Sequence, residues 1–165
     1  GLLTEVLSEL YDGDSYEKLA AYVEIFEQME SPTVDDIAIL FATVQQGFRS
    51  LDRWKRLQIL AASAEITELR TRLAAIHLDQ QQRVVDFLQI AIRSVGSTYP
   101  GTTEESISGA VALARPLASL IMTQSFGSVL DDLVDYEDRE AAAEDMKVLL
   151  SLIINAVLTT GNKSS

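Results

Sequence analysis

The chain has 165 residues and a net charge of −12, with 47% hydrophobic and 23% charged residues, a globular composition and not a disordered one. It has no cysteine and one histidine, His77, which excludes disulfides, thiolate metal sites, a cysteine nucleophile and any site built on two imidazoles of one chain. So acidic a chain is a poor ligand for nucleic acid or for anionic membranes.

The periodicity is helical from end to end. Leu3, Val6, Leu7 and Leu10 form a short stripe that stops at Asp12-Gly13-Asp14. Tyr16, Leu19, Val23 and Phe26 form the next, with Asp14 or Ser15 as its N-cap, and Ser31-Pro32 ends it. Thr33 then caps a helix that carries Asp35 and Asp36 in its first turn, with Ile37, Leu40, Phe41, Val44 and Phe48 as its apolar stripe. Leu51, Trp54, Leu57, Leu60, Ala61 and Ala64 continue at steps of three and four, and Leu69, Leu73 and Ile76 extend them. This stretch reads as one long helix over 51–77 or as two meeting near Ala64, and two are preferred because Ser63 and the β-branched Ile66-Thr67 pair weakly interrupt strong helix formers. Asp79 is expected to cap the next helix, whose residues 84–95 are apolar nearly all round and mark a central buried element.

Residues 96–103 read as a loop, and Thr102 or Thr103 with Glu105 as the capping arrangement that follows it. Ile107, Ala110, Val111, Ala114, Leu117 and Ile121 make the next stripe, and Pro116 predicts a kink or break near Ala114. Phe126, Val129, Leu130 and Leu133 mark a short amphipathic helix. Met146, Leu149, Leu150, Ile153 and Val157 mark a last, strongly apolar one, before a polar tail over residues 159–165. The expectation is an all-α, compact single-domain helical bundle of seven to nine helices over residues 1–158.

The charges are segregated. Residues 1–48 hold ten acids and one base, residues 49–93 eight bases and five acids, and residues 94–165 ten acids and four bases. A mildly basic middle between two acidic thirds either packs on them or serves a partner. No run reaches the roughly 18 apolar residues of a membrane span. A chain that starts at Gly1 is expected to be processed, tagged or a fragment. It is expected to be soluble, cytoplasmic or secreted, and the Asn162-Lys163-Ser164 sequon does not separate the two.

Asp131-Asp132-Leu133-Val134-Asp135 is similar to the aspartate-rich motif of the all-helical terpenoid and prenyl-diphosphate synthases. In that family, aspartates one turn apart hold magnesium against a diphosphate. The resemblance covers five residues. The family's second carboxylate motif, its basic diphosphate ligands and its longer chain have no counterpart here, so the string reads as a solvated acidic helix face. It opens a run of eight acids in the fifteen residues 131–145. The run lacks the spaced ligands and glycine of an EF-hand loop, so no metal is implied. The opposite patch is Arg49, Arg53, Lys55 and Arg56 around Trp54, which sits on a core stripe. His77 lacks a carboxylate three or four residues before it and is expected at a helix end, not in catalysis. No GxSxG setting or phosphate-binding glycine loop is present.

No catalytic residue, cofactor or metal is therefore expected. The residues assigned to partner binding are Arg49, Arg53, Lys55, Arg56, Asp131, Asp132 and Asp135, in a non-enzymatic helical protein-interaction module. The alternative is a carrier for an apolar small molecule inside the bundle, with Met122 and Met146 as adaptable wall residues.

Overall fold

A computed structural model describes the backbone of residues 15–48, 53–134 and 139–160. It describes the side chains of residues 20–42, 57–124 and 144–159 except Met146 and Val157. All regular structure among these residues is helical: α1 (Ser15–Glu27), α2 (Val34–Phe48), α3 (Arg53–Ala62), α4 (Thr67–Thr98), α5 (Glu104–Ala112), α6 (Ala114–Val134) and α7 (Arg139–Thr160). The stripe around Leu3 and the predicted cap at Asp14 lie outside the described residues.

Side-chain oxygens set several boundaries. At the start of α2, Thr33 Oγ1 accepts from the Asp36 N–H (3.3 Å) while the Asp36 carboxylate accepts from the Thr33 N–H (2.8 Å). This reciprocal pair satisfies two amides that the helix itself leaves unbonded. α5 opens the same way. Ser106 N–H donates to Thr103 Oγ1 at 3.2 Å, and Thr103 N–H to Ser106 Oγ at 2.9 Å. The partner of Thr103 is thus Ser106, not Glu105. Thr103→Ala is expected to cost about 1 kcal/mol of unfolding free energy in a urea titration, the usual loss for a removed N-cap.

The helix break predicted near Ala64 is present. α3 ends at Ala62, the Ser63 hydroxyl donates to the Leu60 carbonyl (2.6 Å), and the Arg70 guanidinium donates to the carbonyls of Ser63 (3.2 Å) and Ala64 (2.9 Å). Ser63 and Ala64 lie in the turn that follows α3, so Arg70 ties that turn to the next helix. The predicted break near Ala114 is also present, at Leu113, where the axes of α5 and α6 differ by 41°. Pro116 follows as the third residue of α6. Its missing N–H falls in the first turn, where no intrahelical bond would form.

Four boundaries differ from expectation. Asp79 starts no helix, because α4 runs unbroken through 32 residues, about 48 Å. The Asp79 carboxylate instead accepts from Arg83 one turn on (2.9 Å), and His77 is mid-helix rather than at an end. The loop predicted from residue 96 starts only after Thr98. Gly96 is a buried helical residue, while Gly101 holds the positive φ (80°) that the turn into α5 needs. The short helix expected around Phe126 is the second half of α6, and Thr159 belongs to α7.

The main core gathers around the C-terminal half of α4. Phe87, Leu88, Ala91, Ile92 and Val95 meet Phe26 of α1, Ile37 and Phe41 of α2, Ile107 and Ala110 of α5, Leu117 and Ile121 of α6, and Leu150, Ile154 and Leu158 of α7. α2 and α7 form the most extensive helix pair, with Ser151 Oγ donating to Asp35 Oδ1 at 2.8 Å. The N-terminal half of α4 carries a separate small cluster, Leu69 and Leu73 packed with Ile59 and Ile76.

Candidate functional site

α7 has apolar residues on two sides. Leu150, Ile154 and Leu158 are buried at steps of four and face the core. Val148, Leu149 and Leu152 stand outward, Leu152 with 64% of its surface exposed. The predicted stripe of Met146, Leu149, Leu150, Ile153 and Val157 shares Leu150 with the packed face but is rotated from it at Leu149. Leu149 is exposed, Ile153 is half-buried, and the side chains of Met146 and Val157 lie outside the described residues. A helix that is apolar nearly all round gives no moment from which to choose a face.

The outward side adjoins a groove of about 220 Å³ lined almost entirely by carbon. Its floor is Ile92 of α4, Ala110 of α5, Leu117 of α6 and Ile154 of α7. Its walls are Leu113, Pro116 and Leu120 on one side and Ile153 on the other, with Leu149 one turn before Ile153. The local cause is the break at Leu113. α6 turns off the axis of α5 to pack on α4, while α7 packs on α2 and α5. Among the described residues α6 and α7 barely touch each other. Leu113 and Leu120 are each close to half exposed.

A sequence signal for this wall exists. Leu113, Pro116 and Leu120 follow an i, i+3, i+7 spacing that lies off the stripe of Ile107, Ala110, Ala114, Leu117 and Ile121, all of which are buried. One helical stretch thus carries two apolar faces, and only one is needed for the core.

A second cleft, of about 360 Å³, lies where the α1–α2 turn meets the end of α4 and Asn155. It is more polar, and its groups serve the fold. Tyr99 Oη donates to Asn155 Oδ1 (3.1 Å), Asp35 accepts from Ser151, and Thr33 caps α2.

The charged residues singled out from the sequence fall elsewhere. Arg53, Lys55 and Arg56 are on α3, and Asp131 and Asp132 on the last turns of α6; the side chains of all five lie outside the described ones. Arg49 and Asp135 lie outside the described residues altogether. Met122, the carrier wall residue, is half-buried on α6 and does not line the groove, and Met146 lies outside the described side chains. Among the described residues no three His, Asp or Glu side chains converge as metal ligands. No single described helix is long and apolar enough to cross a membrane, although the bent pair Glu104–Ala112 and Ala114–Gln124 reaches that length and composition together. No protein-family model, curated protein or solved structure matches this chain.

Proposed function

We propose that the chain is a non-enzymatic helical protein-interaction module whose docking surface is the groove between α6 and α7, with the outward side of α7 beside it. The observation that carries this reading is the carbon-lined groove walled by the exposed Leu113 and Leu120 on one side and by Ile153 of α7 on the other, with the exposed Leu149 one turn away. Side chains that the core does not need, arranged along a groove between two helices, match the way helical proteins seat an amphipathic partner helix.

The test is amide hydrogen exchange with and without a panel of designed amphipathic peptides that share one leucine face and differ in charge. Slower exchange in the groove turns of α6 and α7 with at least one peptide supports the module. Leu120→Gln and Leu149→Gln should each weaken that peptide about tenfold or more, since each removes most of a leucine's burial at the interface. Both sites are partly exposed, so unfolding free energy should change by less than about 1 kcal/mol. Protection confined to other helices, or none with any peptide, would refute the reading.

The same lining supports one alternative, carriage of an apolar small molecule. The groove's 220 Å³ falls below the roughly 300–1,000 Å³ of ordinary ligand pockets, which ranks it second. Native mass spectrometry decides it. A few hundred daltons of extra mass, lost on denaturation, would favour the carrier.

A further inference from the structure

We infer that the partner of the α6–α7 groove is a second copy of this chain, related by a two-fold axis that seats the outward ridge of α7 from each copy in the groove of the other. The inference rests on reading the groove as a protein-docking surface and names what docks there. The face carries both halves of such a joint side by side. The ridge is Val148, Leu149 and Leu152, with the small, exposed Ala156 one turn beyond. The groove beside it has Leu113, Pro116 and Leu120 as its far wall and Ile153 as its near one. A ridge next to a groove is complementary to itself under a two-fold rotation, which is what an isologous interface requires.

The face also lacks charge. Residues 116–124 of α6 and 148–159 of α7 contain no Asp, Glu, Lys or Arg, in a chain where 23% of residues are charged. Each copy carries −12, so two copies approach most easily on a surface from which the acids are missing. Depletion of charge at the centre is the compositional mark of such interfaces. The exposed Asp145 precedes the ridge by one turn, and a two-fold axis crossing α7 near Leu152 keeps the two Asp145 carboxylates at opposite ends. The half-exposed side chains of Leu113, Leu120, Val148, Leu149 and Leu152 leave about 450 Å² of apolar surface open to water, a large patch for a monomer. Two copies joined there bury about 900 Å² from these side chains, and Pro116, Ile153 and the groove rim bring the total to about 1,200 Å², the low end of specific interfaces. An interface of that size fits a dimer that assembles at about 10–100 μM protein, not an obligate one.

The test is sedimentation equilibrium over about 5–200 μM protein, at low and at moderate salt. The chain is expected to pass from monomer to dimer over that range, and to dimerise more tightly as salt screens the repulsion between two acidic copies. Leu152→Glu and Leu120→Glu should each weaken the dimer at least tenfold, because each buries a carboxylate in an apolar joint. Circular dichroism checks the fold of both. Leu152 is the more exposed of the two, so Leu152→Glu decides alone if Leu120→Glu does not fold. Mixtures fix the geometry. Leu152→Glu mixed with Leu120→Lys should dimerise at least tenfold more tightly than Leu152→Glu mixed with Leu120→Glu, since only the first sets unlike charges against each other across the joint. Equal behaviour of the two mixtures would mean that ridge does not meet groove, and overturns the inference. So does a dimer that neither Glu variant weakens, or one that salt dissolves. If the chain stays monomeric while a designed leucine-faced peptide slows amide exchange in the groove turns of α6 and α7, the partner is another protein; the inference falls and the docking groove stands. A monomer that binds phosphatidylcholine vesicles through this face overturns it in favour of lipid. If the chain stays monomeric and no peptide protects those turns, the groove and its partner fall together.

Discussion

Phe87→Ala is expected to remove about 3–5 kcal/mol of unfolding free energy, about a fifth or more of what a folded domain commonly has. Phe87 is 1% exposed and lies at the point where three helices meet. Its ring sits 6.0 Å from Phe26 at an interplanar angle of 80°, and 5.2 Å from Phe41 at 67°. Both are edge-to-face arrangements, favourable beyond simple burial. Truncation therefore removes the transfer free energy of the ring, opens a cavity between α1, α2 and α4, and breaks both ring contacts. Phe87→Leu keeps much of the volume and should cost well under half as much. Leu78→Ala, at a residue 61% exposed on the same helix, should stay within about 0.5 kcal/mol. Urea titrations of the three variants check this, and a loss below about 1 kcal/mol for Phe87→Ala would mean that the three rings do not form the centre of the core.

The sequence makes the helical class and most of the core legible, for a simple reason. Where a helix has one apolar stripe, the stripe and the packed face coincide, as for Ile37, Leu40 and Phe41 of α2 or Ile107, Ala110 and Val111 of α5. Capping chemistry places two starts correctly, at Thr33 and Thr103. Local signals fail where a residue with two roles takes the other one. Asp79 can cap a helix, yet inside a continuous apolar pattern it costs little and gains Arg83 one turn away. Gly96 can open a loop, yet here it is kept small by close packing.

The candidate site is illegible for the opposite reason, an excess of signal. α7 and the stretch from Leu113 to Leu120 each carry more apolar residues than one buried face can hold. Periodicity cannot say which face packs and which is left over. Only the packing of α7 on α2 and α5 settles that Leu150, Ile154 and Leu158 go inward, leaving Val148, Leu149 and Leu152 outside. The charged patches were legible as composition, but charge describes surfaces and association rather than where helices sit.

Gly96→Ala should destabilise, although alanine is normally the better helix residue by about 1 kcal/mol. Gly96 is buried in α4 against α5. A Cβ added there would lie 2.8 Å from Ile107 Cγ1 and 3.3 Å from its Cδ1, inside van der Waals contact. Ile107 is itself buried, 8% exposed, so it has little room to move away. Overpacking of this kind costs about 1–3 kcal/mol and outweighs the gain in helix propensity. Gly109 is the control. It lies on exposed α5 surface with nothing within 4 Å of an added Cβ, so Gly109→Ala should stabilise by about 0.5–1 kcal/mol. The two glycines thus predict opposite signs for one chemical change. Ile107→Ala alone removes a buried side chain and should cost about 2–5 kcal/mol. In the double variant Gly96→Ala, Ile107→Ala the new methyl enters vacated space, and the combined cost should fall below the sum by about 0.5–3 kcal/mol. Chemical denaturation of the four variants completes the cycle. Additive losses, or stabilisation by Gly96→Ala alone, would show that α4 and α5 do not approach as closely as the contact at Ile107 requires.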